Sequence, residues 1–223
     1  MLKDAEMSDI FPKWTNRLPR NIIIGALLIG TGVTAGVTYY FTPKYTRVGY
    51  EPIQPVAFPH SVHVKQLGLD CRYCHNTVEK SWYSNIPATS TCMNCHSQVL
   101  KDDARLALVR QSAASGEAIP WVQIHKMPDY VYFNHSVHVN RGVSCVECHG
   151  QINDMDEVHH DKPLSMSYCL TCHRDPTMRL RPLTEITHLD WHADTADQQR
   201  EIGTTIIKDF HTQSLQNCST CHR

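Results

Sequence analysis

One stretch of the 223-residue chain is apolar without interruption: from Ile22 to Phe41 twenty residues pass without a charge, about the length at which a helix crosses a bilayer. The pattern predicts a transmembrane helix over 21–41. A cleaved signal peptide competes, because Thr34, Ala35 and Gly36 offer small residues, but an h-region runs only about 7–15 residues and a chain opening on Met1 is expected to keep the segment. Lys13, Arg17 and Arg20 precede the span while Lys44 and Arg47 follow it, a bias that turns the N-terminus to the cytoplasm, and Tyr39 and Tyr40 suit an interfacial belt. Ala26 with Gly30, and Gly32 with Gly36, make small-xxx-small spacings that admit a second helix; ordinary glycine content in a lone anchor is the alternative. Beyond the anchor the one plausible longer helix is Lys101 to Ala113, with Leu106, Val109 and Arg110 near helical spacing and Gly116 and Pro120 to stop it. The long polar stretch from Thr184 to Gln216 reads as a partner-docking arm or a solvated spacer.

Composition changes this picture through two counts, 10 Cys and 15 His, which signal either a disulfide scaffold or bound metal. A net charge of -1 supplies no basic field for a nucleic acid, which is excluded as a partner.

Spacing decides between the alternatives. All ten cysteines fall into five CxxCH motifs: Cys71 and Cys74 with His75, Cys92 and Cys95 with His96, Cys145 and Cys148 with His149, Cys169 and Cys172 with His173, Cys218 and Cys221 with His222. Chance would produce on the order of 0.03 such matches in a chain of this composition. Two thiols a helical turn apart can add to the two vinyl groups of a haem while the next residue presents imidazole to the iron. Zinc also uses CxxC pairs, in tetrahedral sets of four, but gives no reason for a histidine directly after every second cysteine. A disulfide between cysteines so close would constrain little. The expectation is five haem c, with His75, His96, His149, His173 and His222 as proximal ligands. Covalent haem is attached on the outer face of the bacterial inner membrane, so residues after about Lys44 are expected outside the cytoplasm, in the periplasm.

The phrase FPHSVHV at Phe58 returns as FNHSVHV at Phe133. Each copy stands before a CxxCH motif, and a second motif follows a proline, so two modules appear, each with two haems and two extra histidines. His60 with His63, and His135 with His138, supply the matching number of distal ligands. At i and i+3 they share a helix face at different heights and can reach two different irons; polar surface histidines are the bland reading. For the fifth haem His125 is the first choice of distal ligand, with His188, His192, His211, His159 and His160 behind it; Met127 or Met166 could ligate one iron instead, although core packing is a methionine's default.

With five porphyrins in place of much of the apolar core, the fold class expected is a multihaem cytochrome c, mostly irregular with short α-helices around the haems, plus one N-terminal transmembrane helix. The divisions are 1–20 cytoplasmic, 21–41 anchor, 42–57 linker, 58–99 first dihaem module, 100–132 connector, 133–176 second dihaem module, and 177–223 carrying the fifth haem.

FxHxxH ahead of CxxCH resembles the class III multihaem cytochromes of the c3 and c7 type, in which both histidines are axial ligands to different haems. The run IPWVQIHKMPDYVYFNHSVHVNRGVSCVECHGQINDMDEV, then PLSMSYCLTCHRDP and LRPLTEIT, is similar to the pentahaem cytochrome c subunit of bacterial alternative complex III, over roughly Val48 to Arg223. That resemblance implies an electron-transfer subunit with no substrate of its own. It would pass electrons from quinol oxidation, by way of integral membrane subunits and an iron–sulfur subunit, toward a monohaem cytochrome subunit or a soluble cytochrome c or copper protein. It also implies histidine distal ligands, carried to His60, His63, His135 and His138 by motif and to His125 by the PWVQIH string. The alternative is a membrane-anchored multihaem quinol dehydrogenase of the NapC and NrfH type, which shares the single anchor but typically carries four haems in a different spacing. A pentahaem nitrite reductase needs an open iron, often with lysine in place of a motif histidine, and this chain has no such motif. A haem or metal sensor, or a scaffold, would need a signalling module.

Overall fold

The computed structural model describes residues 12–41, 47–213 and 216–222. Lys44 and the beginnings of the N-terminal and linker segments lie outside the described residues. The chain divides into two units, Met1–Thr46 and Arg47–Arg223.

In the first unit a 3-10 turn, Lys13–Arg17, runs into α1, Leu18–Phe41. Its 24 residues give about 36 Å of helix at 1.5 Å per residue, and Leu27, Leu28, Ile29 and Val33 are all exposed. A helix this long, with so much apolar surface and nothing burying it, is a candidate membrane span.

The second unit is built from short helices. α2 (Cys71–Cys74), α6 (Val146–His149) and α9 (Cys218–Cys221) have one turn each, while α3 (Thr89–His96) and α7 (Met166–Arg174) carry their CxxCH at the C-terminal end. α4 (Ala107–Ser115), α5 (His135–Val139) and α8 (Ala196–Asp209) complete the set. Among the described residues β pairing is confined to the isolated bridges Val131 to His222 and Val143 to Leu180.

Side chains start these helices where local chemistry allows. The Asp70 carboxylate accepts from the Arg72 amide at 2.8 Å ahead of α2, and Ser165 Oγ accepts from the Tyr168 amide at 3.3 Å ahead of α7. Asp70 also takes the Arg72 guanidinium at 2.8 and 2.9 Å and the Thr187 hydroxyl at 3.0 Å. The helix expected over 101–113 is displaced toward the C-terminus. Asp103 accepts from the Arg105 amide and starts a 3-10 turn, Ala104–Leu106, that leads into α4. It stops at Gly116 as expected, because that residue sits at φ 78°, in the left-handed region open to glycine.

The polar stretch 184–216 holds α8, which at 14 residues is the longest helix of the second unit and was missed as a helix. Thr195 Oγ1 accepts from the Gln198 amide while Gln198 Oε1 accepts from the Asp194 amide, a close variant of the capping box that T-x-x-Q spells. Gly203 brings α8 against the Thr177 backbone; a Cβ there would lie 2.1 Å from the Thr177 carbonyl oxygen. Gln199 Nε2 donates to the carbonyls of Thr177 and Leu180 beside it.

The best-defined apolar cluster is Val56, Val109 and Ile119, with Cys92, Met93, Leu106, Leu108 and Trp121 against it, and it packs α4 on α3. Thr89 and Ser112 join these helices by a hydroxyl hydrogen bond of 2.7 Å.

Two changes test the packing. Gly203→Ala forces a Cβ into backbone rather than into a movable side chain, so it is expected to cost about 1–3 kcal/mol in denaturant unfolding of the haem-loaded protein. Asp70→Ala is expected to cost about 1 kcal/mol through the lost cap. The Arg72 guanidinium holds the Asp70 carboxyl down at about 2 rather than its ordinary 3.8. The stabilisation from its charge is therefore present above pH 3.8 and is lost as pH falls toward 2. Asp70→Asn keeps a capping oxygen and should flatten that acid limb in a pH series of unfolding midpoints.

Candidate haem-attachment sites

All ten cysteines are free thiols, and each CxxC pair sits one helical turn apart. What distinguishes the motif histidines is how their rings are held. Nδ1 of His75 is 2.6 Å from the Asn85 carbonyl oxygen, that of His96 3.0 Å from Val99, and that of His222 3.2 Å from Tyr130. A carbonyl can only accept, so Nδ1 must be the donor, and in the neutral ring Nε2 keeps its lone pair.

Three of the four FxHxxH histidines follow the same rule. His63 donates to Pro59 at 2.8 Å, His135 to Trp82 at 2.7 Å and His138 to Asn134 at 2.7 Å. The two copies reproduce each other's ring geometry. Phe58 stacks on His63 at 4.3 Å and meets His60 edge-on at 4.9 Å; Phe133 stacks on His138 at 4.6 Å and meets His135 edge-on at 4.8 Å. They do so on different backbones, a π-helical turn, Ser61–Gln66, in the first copy and α5 in the second.

Across the motifs these rings face one another. His63 and His96 have centroids 6.2 Å apart, His138 and His173 6.1 Å, and His135 and His149 6.5 Å. Two imidazoles on opposite faces of one metal ion, each bound at about 2.0–2.1 Å, have ring centres roughly 6.3 Å apart. The residues present therefore fit an iron porphyrin between each pair. The scarcity of buried apolar side chains in this unit agrees: Val56, Val109, Ile119, Val139, Met155, Leu180, Ile186 and Leu189 are the buried ones among the described residues.

His60 lies in the field of His75; burial first, then His75 and His63, push it down to about 4, and its Nδ1 is buried without a hydrogen-bond partner. His125 stands beside the third motif. Its ring is 4.4 Å from His149 and 4.9 Å from His160, its Nε2 is buried without a partner, and burial lowers it to about 4. His160 is almost wholly buried with Nδ1 unpartnered, a prominence that its place behind His125 among the candidates did not anticipate. Burial and the surrounding histidines keep His149 below its ordinary pKa, so the ring stays neutral, the state a metal ligand requires.

The fifth motif has a different neighbour: His222 stacks on Tyr130 at 5.7 Å, and the Tyr132 amide donates to the Cys221 carbonyl. His188 and His192 are held by Glu185 and by the Asp190 carbonyl, His159 lies 3.8 Å from Glu51, and His211 is exposed at φ 49°. Met166 is exposed and Met127 half-buried. Beside the third motif Glu147 lies 3.6 Å from Arg179 and 3.7 Å from the buried Arg181, and burial raises its carboxyl despite both guanidiniums. Among the described residues no three His, Cys, Asp or Glu side chains gather as a metal site of their own.

Two curated relatives are similar to this chain. The multiheme cytochrome c subunit of a menaquinone reductase from Nitratidesulfovibrio vulgaris is 31% identical over 141 residues, covering 54% of this chain and 67% of that protein. Cytochrome c-552 of Maridesulfovibrio salexigens is 25% identical over 197 residues, covering 67% of this chain and 39% of its own length. The profile of cytochrome c7 and related cytochrome c matches residues 56–115 and 131–223, most of the second unit and all five CxxCH motifs. The chain belongs to that family of multihaem cytochromes c, which transfer electrons through covalently held haem.

Proposed function

We propose that the chain carries five haem c and relays electrons between quinol oxidation in a membrane complex of the alternative complex III type and a periplasmic acceptor, a cytochrome c or a blue copper protein. Each haem, when bound, supplies a one-electron iron couple. The observation that carries the reading is the set of imidazole pairs at 6.1 to 6.5 Å, in which Nδ1 of His63, His96, His135 and His138 is spent on a backbone carbonyl, a spacing that would close an iron on both faces instead of leaving a position for substrate. The chain's own groups do three things. The cysteines tether, His75, His96, His149, His173 and His222 bind from one side, and His60, His63, His135 and His138 bind from the other. His125, the fifth distal candidate by count, stands beside His149 and His160.

In this proposal α1 is a single-pass anchor in the bacterial inner membrane, with the N-terminus in the cytoplasm and the haem unit outside it. The partners are integral membrane quinol-oxidising subunits, an iron–sulfur subunit, and a monohaem cytochrome subunit or soluble carrier. A second reading runs the relay the other way, toward menaquinone, and is favoured by the name of the menaquinone reductase whose multiheme subunit is similar over 141 residues.

Mass spectrometry of the full chain should give five haems per polypeptide, and bare cysteines or zinc would remove the proposal. The reduced wild-type protein should not bind carbon monoxide. His138→Ala should open one iron in five to carbon monoxide and turn that haem high-spin, while His138→Met should stay closed with a raised potential at the same haem. Carbon monoxide binding by the wild type, or turnover of a quinol analogue by the isolated subunit, would mean catalysis rather than relay.

A further inference from the structure

The five motifs touch one another in an order that differs from their order in the chain. Asn94, inside the second motif, donates to the hydroxyl of Tyr73, inside the first, at 2.9 Å. The first and third are tied through the segment 186–187, as Thr187 donates to Asp70 at the head of α2 and Ser144, just ahead of Cys145, donates to the Ile186 carbonyl at 2.6 Å. The third and fourth are joined by the Tyr168 hydroxyl, which donates to the Glu147 carbonyl, and by Arg179, which reaches both residues. The fourth and fifth are linked through residues 130–132, which pair with the fifth motif by the Val131–His222 bridge and the Tyr132 amide on the Cys221 carbonyl and lead directly into Phe133 and His138, the histidine paired with His173.

The histidine pairs agree with this order. In the second copy of the phrase, His135 faces the third motif and His138 the fourth; in the first, His60 lies in the field of His75 while His63 faces His96. Each phrase therefore spans two consecutive positions. The junction between the copies is made by residues 79–82 of the first module, whose carbonyls at Trp82 and Glu79 accept from His135 and Asn140.

Exposure supplies an independent observation. Of the ten cysteines only Cys95, in the second motif, and Cys218, in the fifth, are exposed. The third motif is flanked by buried Ser144 and Gly150, and burial pushes the Cys148 thiol up to about 12.

We propose that the attachment sites form one unbranched file in the order second, first, third, fourth, fifth, so that the second and fifth motifs are its ends, where electrons enter and leave. The proposal rests on the relay reading and deepens it. For each electron taken from a reduced partner at one end, one passes to an oxidised one-electron acceptor at the other, with no bond made or broken in between. The third motif, in the middle, meets no partner directly.

Anomalous scattering at the iron edge from the haem-loaded full chain locates each iron relative to its motif. The expected neighbour contacts are second–first, first–third, third–fourth and fourth–fifth; a branched arrangement, or the second iron lying between the first and third, overturns the order. Fewer than five irons would instead overturn the relay reading, so the two failures are distinct. A solution test uses Cys218→Ala with Cys221→Ala, which removes an end. One remaining haem should shift its potential in a spectroscopic redox titration, and comparable shifts at two or more would overturn the terminal placement.

Discussion

The rest of the structure depends on a hydrogen bond from imidazole Nδ1 to a backbone carbonyl. His63, His75, His96, His135, His138 and His222 all make it. Each bond contributes only about 0.5–1.5 kcal/mol to stability, but it selects a tautomer, aims Nε2 and raises its basicity as a ligand. In His63 and His138 the acceptor lies four residues earlier, so the helical turn that carries the ring also orients it. In His75, His135 and His222 the acceptor is 10, 53 and 92 residues away, so those rings are set only once distant loops have docked. Folding and ligand orientation are then one event for half of the set.

The same dependence accounts for the sparse core. Where imidazoles stand in pairs 6.1 to 6.5 Å apart, apolar side chains cannot also interdigitate between them, and the apolar cluster is confined to α3 and α4 and their surroundings. Stability in the remainder falls to caps, to the Asp70 network and to the close approach that Gly203 permits. A prosthetic group held between such a pair would also tie non-adjacent helices together and so offset the entropy of a chain with many irregular connections.

What was legible in the sequence was whatever is local. CxxCH and FxHxxH are short phrases whose chemistry lies in their spacing, and the short helices on them follow from it, as the four-residue α2 and α9 illustrate. α8 escaped because Thr204, Thr205 and Gly203 dilute its apolar stripe to Ile202, Ile206 and Ile207, although Thr195 with Gln198 signalled its start. The prominence of His160 escaped for a different reason. Its burial is produced by residues far away in the chain, through the Gly49 amide on its carbonyl, its own amide on Tyr50 and the ring of His125. No periodicity in one segment can encode such contacts.

The placement of charge follows the same non-local logic. A buried site disfavours an uncompensated charge, and in the third motif Glu147 stands against two guanidiniums, those of Arg179 and Arg181. Cys95 of the second motif and Cys218 of the fifth are instead open to water. The enclosure of the third motif is thus built from side chains that the linear order of the motifs does not bring together, Ser144 bonding Ile186 and Glu147 facing Arg179 and Arg181.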